Sequence, residues 1–96
     1  MTAIFGELMT FTQEKGSEVK LRVYGDEYYS RRETPDGYTV IYDRDLGRFV
    51  YALLEEGRFV SSGIDITMAP PGAARLHLEE SDAVRKSEAA NRFSER

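Results

Sequence analysis

Residues 38–61, YTVIYDRDLGRFVYALLEEGRFVS, decide the fold. They contain three runs of β-branched and aromatic residues, at 38–42, 48–54 and 58–61, and such residues favour a pleated sheet. The runs are separated by two short polar breaks that each contain glycine. Runs joined in this way are typical of antiparallel hairpins. This half of the chain therefore predicts consecutive antiparallel strands.

The pattern extends toward the N terminus. Pro35, Asp36 and Gly37 predict a turn, because proline presets φ, aspartate bonds nearby backbone and glycine accepts the left-handed conformation. Residues 28–34 precede this turn as a further strand. Residues 19–24 alternate aliphatic with polar side chains, which is the period of a half-buried strand. A hairpin tip at 14–16 is predicted to connect them to an apolar run at 8–12.

The composition changes after residue 66. Residues 67–74 are apolar, small and interrupted by Pro70 and Pro71, which favours a linker. Residues 79–96 contain neither glycine nor proline and predict a helix that Ser81 caps. The predicted organisation is an antiparallel β domain at 1–66, a Pro/Ala-rich linker at 67–78, and a C-terminal helix at 79–96 that packs on the sheet or trails from it. The fold class is α+β, mostly an antiparallel β-meander followed by a C-terminal α-helix.

Length and composition limit the possible functions. A chain of 96 residues is one domain with one core, and its net charge of −4 disfavours nucleic acid, whose binding draws on excess Lys and Arg. No cysteine is present, which excludes disulfides, thiolate zinc sites and a cysteine nucleophile. The single histidine, His77, excludes a multi-histidine metal site. No apolar run of about 18 residues is found either. We expect neither nucleic acid nor membrane as a partner, and no cofactor or metal in this chain.

Few residues are candidates for chemistry. Asp26 and Glu27 are a carboxylate pair, but adjacent strand residues point to opposite faces, so they converge only if Gly25 turns the backbone. The alternative is a solvated turn in which the aspartate bonds local amides. His77, between two leucines, is either a ligand or base, or a structural residue. The sequence holds no nucleophile, phosphate-loop or zinc-protease motif, and we predict no catalytic residue.

Several short motifs occur in a specific order along residues 8–93. They comprise Phe11-Thr12-Gln13, Gly25-Asp26-Glu27-Tyr28-Tyr29, Glu33-Thr34-Pro35-Asp36-Gly37-Tyr38, Tyr51-Ala52, Gly57-Arg58-Phe59-Val60-Ser61-Ser62-Gly63, and Leu76-His77-Leu78-Glu79. In this order and spacing the chain resembles the N-terminal pro-region of M6-type secreted zinc metalloproteases, the immune inhibitor A-like group. The resemblance covers most of the chain.

The resemblance implies a non-catalytic prodomain, or a free-standing relative, that assists the folding or the latency of a protease. Its partner is the cognate metalloprotease catalytic domain, and zinc is expected only there, because hydrolysis needs ligands that one histidine cannot supply. A secreted location is implied as well, although residues 1–5 lack the features of a signal peptide. The candidates for contact with the partner or for latency are Asp26, Glu27, Tyr28, Tyr29 and His77. Asp26 is placed first because the break at Gly25 presents it outward.

Two other interpretations stay open. The first is an independent binding module whose aromatic sheet face recognises a peptide or carbohydrate. The second is an enzyme that uses Asp26 and Glu27. The prodomain hypothesis predicts that the coding sequence beyond Arg96, or a neighbouring gene, carries a zinc-protease motif. Substrate hydrolysis that depends on Asp26 or Glu27 would favour the enzyme.

Overall fold

The structure is a computed structural model, and it describes residues 4–26 and 29–94. Within these residues the chain forms six β-strands followed by one α-helix. In chain order the elements are β1 (Ile4–Phe11), β2 (Val19–Gly25), β3 (Ser30–Glu33), β4 (Thr39–Asp43), β5 (Arg48–Glu55), β6 (Arg58–Asp65) and α1 (Asp82–Ser94).

The strands build one sheet in the order β1-β2-β3-β4-β5-β6, and every neighbouring pair is antiparallel. Each strand thus pairs with the next one in the chain, which is a meander. The turns have the predicted chemistry: the Gly37 N–H donates to the Thr34 carbonyl at 2.8 Å, and Gly37 takes a φ of 99°. The α+β fold, an antiparallel meander followed by a C-terminal helix, is confirmed.

The hydrophobic core cluster lies on one face of the sheet, called here the core face. Its buried side chains are Leu21, Val40, Phe49 and Tyr51, and partly buried aromatic and aliphatic residues surround them. Val50 and Ala52, which alternate with these residues along β5, are buried on the opposite face. Phe49 makes edge-on ring contacts with Tyr42 and Phe11, at centroid distances of 5.0 and 5.6 Å. Such pairs contribute about 0.5–1.5 kcal/mol each beyond burial. Residues of β1 and β5 meet here although three strands separate them, so the sheet curls.

Hydrogen bonds between two turns close this curl. The Lys15 N–H donates to the Gly47 carbonyl at 2.9 Å, and the Phe49 N–H donates to Oε1 of Gln13 at 2.7 Å. The backbone N–H of Glu14 donates to the Tyr42 hydroxyl at 3.0 Å. The β1–β2 hairpin tip is therefore fixed against the β4–β5 turn, and the core face is closed at that end.

The element boundaries differ from the predicted ones at several ends. β1 begins at Ile4 and β6 continues to Asp65, because glycines at 6 and 63 are accommodated within strands instead of ending them. α1 begins at Asp82, after Ser81, whose Oγ accepts the Val84 N–H at 3.3 Å, so the predicted cap is confirmed. Part of the predicted linker contacts the sheet, since Leu76 forms a β-bridge with Tyr38.

Two aspartates fasten the β4–β5–β6 end of the sheet. Asp43 accepts hydrogen bonds from the Ser61 hydroxyl at 2.6 Å and from the Leu46 N–H at 3.1 Å, and these bonds lower its pKa. Asp65 accepts the Thr67 N–H at 2.8 Å and pairs with Arg48 at 2.9 Å, and its pKa is lowered as well. These contacts favour the ionised carboxylate over the acid form.

We expect these two carboxylates to make stability fall at acid pH. A lowered pKa in the folded state stabilises it above the unfolded value of 3.8, and this contribution is lost as the pH falls through the lowered values. Urea unfolding from pH 7 to pH 2.5 should show the wild type losing its advantage over an Asp43→Asn/Asp65→Asn variant. Asp45→Asn is the matched control, because the carboxylate of Asp45 accepts no hydrogen bond within the described residues. A constant difference at all pH values would contradict this assignment.

Candidate functional site

Gly25 ends β2 and begins a tight turn. It takes a φ of 129°, and a Cβ placed on it would lie 2.2 Å from the Tyr29 carbonyl oxygen. The Asp26 N–H donates to that carbonyl at 2.9 Å, and Oδ1 of Asp26 accepts the Tyr29 N–H at 3.1 Å. The Asp26 carboxylate therefore closes the turn that carries it. Glu27 and Tyr28, also predicted as candidates, lie outside the described residues.

Tyr29 connects this turn to the far end of the sheet. Its hydroxyl donates to Oε1 of Glu80 at 2.7 Å, while Oε2 of Glu80 accepts the Phe59 N–H at 2.8 Å. Burial, and then the hydrogen bond to the Glu80 carboxylate, raise the pKa of the Tyr29 phenol. Tyr29 thus stays a neutral donor, and one carboxylate links the β2–β3 turn with β6.

Glu33 is a buried carboxylate that the sequence analysis did not single out. It lies on the face opposite the core face, called here the outer face, and its side chain is fully buried. Arg31 donates to its Oε2 from Nε at 3.1 Å and from Nη2 at 2.8 Å. Nδ1 of His77 lies 2.8 Å from its Oε1. Burial of a carboxylate is costly unless partners of this kind satisfy its oxygens.

His77 holds the segment before α1 against the sheet. Its backbone N–H donates to the Gly37 carbonyl at 2.8 Å, and its φ is 53°, an unusual value outside glycine. Next along the chain, the Leu78 carbonyl accepts the Thr39 hydroxyl at 2.8 Å. The His77 side chain is 63% exposed, with one ring nitrogen committed to Glu33. Pro35, Asp36 and Gly37 form the predicted turn, and this turn is the surface on which His77 docks.

Glu79 extends this network from the sheet to the helix. Its Oε1 lies 3.3 Å from Nη1 of Arg31 and 3.4 Å from Nη1 of Arg85, which is on α1. Arg85 also pairs with Asp82 at 2.6 Å, one helical turn away. These half-exposed pairs are weaker than the Glu33 contacts, because solvent screens them. They nevertheless fix the position of α1 beside the Gly25–Tyr29 turn.

An open groove of about 580 Å³ separates that turn from α1. Its lining residues are Gly25, Asp26, Tyr29, Asp82, Arg85, Lys86, Ala89 and Ala90. A smaller slot of about 340 Å³ adjoins it, between the ends of β1–β3 and the segment before α1. Its lining residues are Phe5, Tyr24, Gly25, Tyr29, Arg31, Glu79 and Arg85. Asp26 and Tyr29 therefore share one groove, whereas His77 lies elsewhere, at the β3–β4 turn.

The predicted candidates for chemistry that the structure describes already have partners. Among the described residues, no three side chains of the His, Asp or Glu type gather as a metal site. The candidate carboxylate Asp26 is bonded to its own turn, and the candidate imidazole His77 is bonded to Glu33. Within residues 4–26 and 29–94, no helix has the length and apolar character needed to cross a bilayer.

Comparisons with known proteins add no assignment. No protein-family model, no curated protein and no solved structure matches this chain. The relevant observation is that several motif residues, far apart in the chain, contact one another in three dimensions.

Proposed function

We propose that this chain is a non-catalytic prodomain, or a free-standing relative, of a secreted M6-type zinc metalloprotease. It binds the catalytic domain of that protease and assists its folding, its latency or both. The observation that supports this most is the contact between residues of separate motifs. Glu33, the last residue of β3, bonds His77 of the segment before α1, 44 residues away. Leu76 of that same segment forms a β-bridge with Tyr38, which belongs to the motif of Glu33.

The same contacts favour a scaffold role for the motif residues. A buried carboxylate with an arginine and a histidine, a glycine at a turn that excludes Cβ, and a tyrosine bonded to Glu80 all fix backbone positions. Rigid surfaces bind with a smaller loss of conformational entropy than mobile ones do. A sheet stiffened in this way is suited to docking on a folding protease.

The folding role is tested with an M6-type catalytic domain. The domain to use is one encoded in the same gene as this chain or in a neighbouring gene. The denatured catalytic domain is refolded with and without the intact chain, and recovered protease activity is measured after the chain is removed. We expect recovery to rise with added chain until the two are equimolar. Equal recovery with and without the chain would contradict the folding role.

Latency is tested on the folded protease with the chain added back. We expect inhibition that saturates at equimolar chain. Asp26→Asn keeps the acceptor for the Tyr29 N–H but removes the charge, so it tests Asp26 without removing its turn. If inhibition is unchanged by this variant, Asp26 has no charge-dependent role in latency. If the wild-type chain inhibits nothing and improves no refolding, an independent binding module is the better description.

A further inference from the structure

A β-bulge in the first strand changes which side chains lie on the outer face. Phe5 pairs with Tyr24 and Leu8 pairs with Arg22, but Glu7 pairs with Val23, so Gly6 is the extra residue. The bulge puts Phe5 and Leu8 on the same face although they are three positions apart. Bulges commonly redirect a side chain at a sheet edge. Here the redirected side chain is a phenylalanine, and it points away from the core face.

The side chains of Phe5 and Leu8 are both open to solvent. Phe5 is 85% exposed and Leu8 is 46% exposed. The segment that crosses the outer face bonds Glu33 and Thr39, on β3 and β4, and within residues 4–26 and 29–94 Phe5 and Leu8 stay exposed. Adjacent exposed apolar side chains at a sheet edge with polar neighbours are characteristic of interaction sites.

Phe5 and Leu8 form an exposed apolar patch. The residues that border this patch are basic, although the chain as a whole is acidic. The outer-face residues beside Phe5 and Leu8 are Thr10, Lys20, Arg22 and Tyr24. Among the described outer-face residues of β1 and β2 there is no carboxylate, because Glu7 pairs with Val23 and belongs to the core face. The chain as a whole carries a net charge of −4. The patch therefore has the opposite sign to the net charge of the molecule.

A slot for one side chain lies at the end of the patch. It is the 340 Å³ space whose lining includes Phe5, Tyr24, Tyr29 and Glu79. Arg31 stacks on the Tyr24 ring at 4.7 Å and lines the slot as well. Interfaces are usually anchored by an apolar side chain held in such a pocket, within a polar rim.

We propose that the outer face of β1 and β2 is a docking surface for an acidic polypeptide segment that carries an apolar anchor. The anchor packs on Phe5 and Leu8, and carboxylates of the segment face Lys20 and Arg22. Pairing of two copies of this chain through the same surface is disfavoured, because two basic rims repel each other. The assignment rests on the proposed function only in identifying the segment as part of the protease catalytic domain.

The surface is tested with a soluble synthetic peptide that contains two leucines among glutamate and glycine residues, and with the same peptide carrying lysine in place of glutamate. The intact chain is labelled with ¹⁵N and titrated with each peptide. We expect amide shifts confined to β1, β2 and the residues that line the slot with the glutamate peptide, weaker at high salt, and none with the lysine peptide. Equal response to both peptides, shifts elsewhere, or no shifts would overturn the assignment.

Variants separate the two parts of the surface. Phe5→Ser/Leu8→Ser should weaken binding of the glutamate peptide at least tenfold, and Thr10→Glu/Lys20→Glu should do the same without touching the Arg22 bond to the Gly6 carbonyl. Leu46→Ser is the matched control, since Leu46 is comparably exposed but lies in the β4–β5 turn. Self-association of the chain, or binding to anionic lipid vesicles but not to the peptide, would contradict a polypeptide partner.

The catalytic domain distinguishes failure of this surface from failure of the proposed function. If the peptide binds and the catalytic domain does not, the proposed function is wrong and the surface stands. If the wild type and Phe5→Ser/Leu8→Ser bind the catalytic domain equally well, the surface is wrong and the proposed function stands.

Discussion

Replacing Glu33 with alanine should lower the free energy of unfolding by about 3–5 kcal/mol, the usual effect of removing one partner of a buried ion pair. The substitution leaves Arg31, which is only 15% exposed, without its two bonds to the Glu33 carboxylate. It also releases Nδ1 of His77, and with it one of the contacts that hold the segment before α1 on the sheet. We therefore expect α1 to be more mobile in Glu33→Ala than in the wild type, under conditions in which the variant is still folded.

The measurement is urea unfolding followed by tyrosine fluorescence, with hydrogen exchange for residues of α1. Glu79→Ala is the matched control, because Glu79 contacts the same arginine but is half exposed. Exposed pairs contribute about 1 kcal/mol or less, so the control should be nearly as stable as the wild type. Glu33→Gln, which keeps the shape of the side chain, should fall between them. Equal stability of Glu33→Ala and Glu79→Ala would contradict the role given to Glu33.

Replacing Gly25 with alanine should displace the whole Asp26–Tyr29 turn. The φ of 129° is costly for any residue with a side chain, by about 1–3 kcal/mol. In addition, the new Cβ would lie 2.2 Å from backbone, which no rotamer change relieves. We expect loss of the Asp26–Tyr29 bonds, and with them of the Tyr29–Glu80 contact.

This effect is measured by urea unfolding together with the amide shifts of Tyr29 and Phe59, whose N–H groups bond Asp26 and Glu80 when the turn is intact. Gly72→Ala is the control, because a Cβ there meets nothing within 4 Å and the backbone is ordinary. Its stability should change by no more than about 0.5 kcal/mol. A Gly25→Ala variant as stable as the control, with unchanged shifts, would show that the turn does not need glycine.

The local part of the fold could be predicted from the sequence. Turn residues and period-two alternation depend on neighbours in the chain, so the meander and its turns followed from residues 19–61. The Gly6 bulge could not be predicted, because an isolated glycine within a strand pattern is compatible both with a bend in the strand and with its end. The register that puts Phe5 opposite Tyr24 depends on that bulge.

Less of the candidate site than of the fold could be predicted from the sequence. The sequence left two possibilities for Asp26, an outward carboxylate or a turn residue that bonds local amides. The hydrogen bond that its carboxylate accepts from the Tyr29 N–H is the one expected of a turn residue. The pairing of Glu33 with His77 spans 44 residues, and that of Tyr29 with Glu80 spans 51. No local pattern encodes contacts at such separations. A partial signal existed: Arg31 and Glu33, two apart on a strand, share one face, which favours an ion pair.

Calorimetric titration of the folded chain into the catalytic domain of the M6-type protease proposed as its partner is the most direct measurement of the proposed function. We expect one chain to bind per catalytic domain with micromolar or tighter affinity, while the chain alone hydrolyses no peptide substrate. Absence of binding heat at the highest soluble concentrations of both proteins, or substrate turnover by the purified chain alone, would contradict a non-catalytic domain that acts by docking.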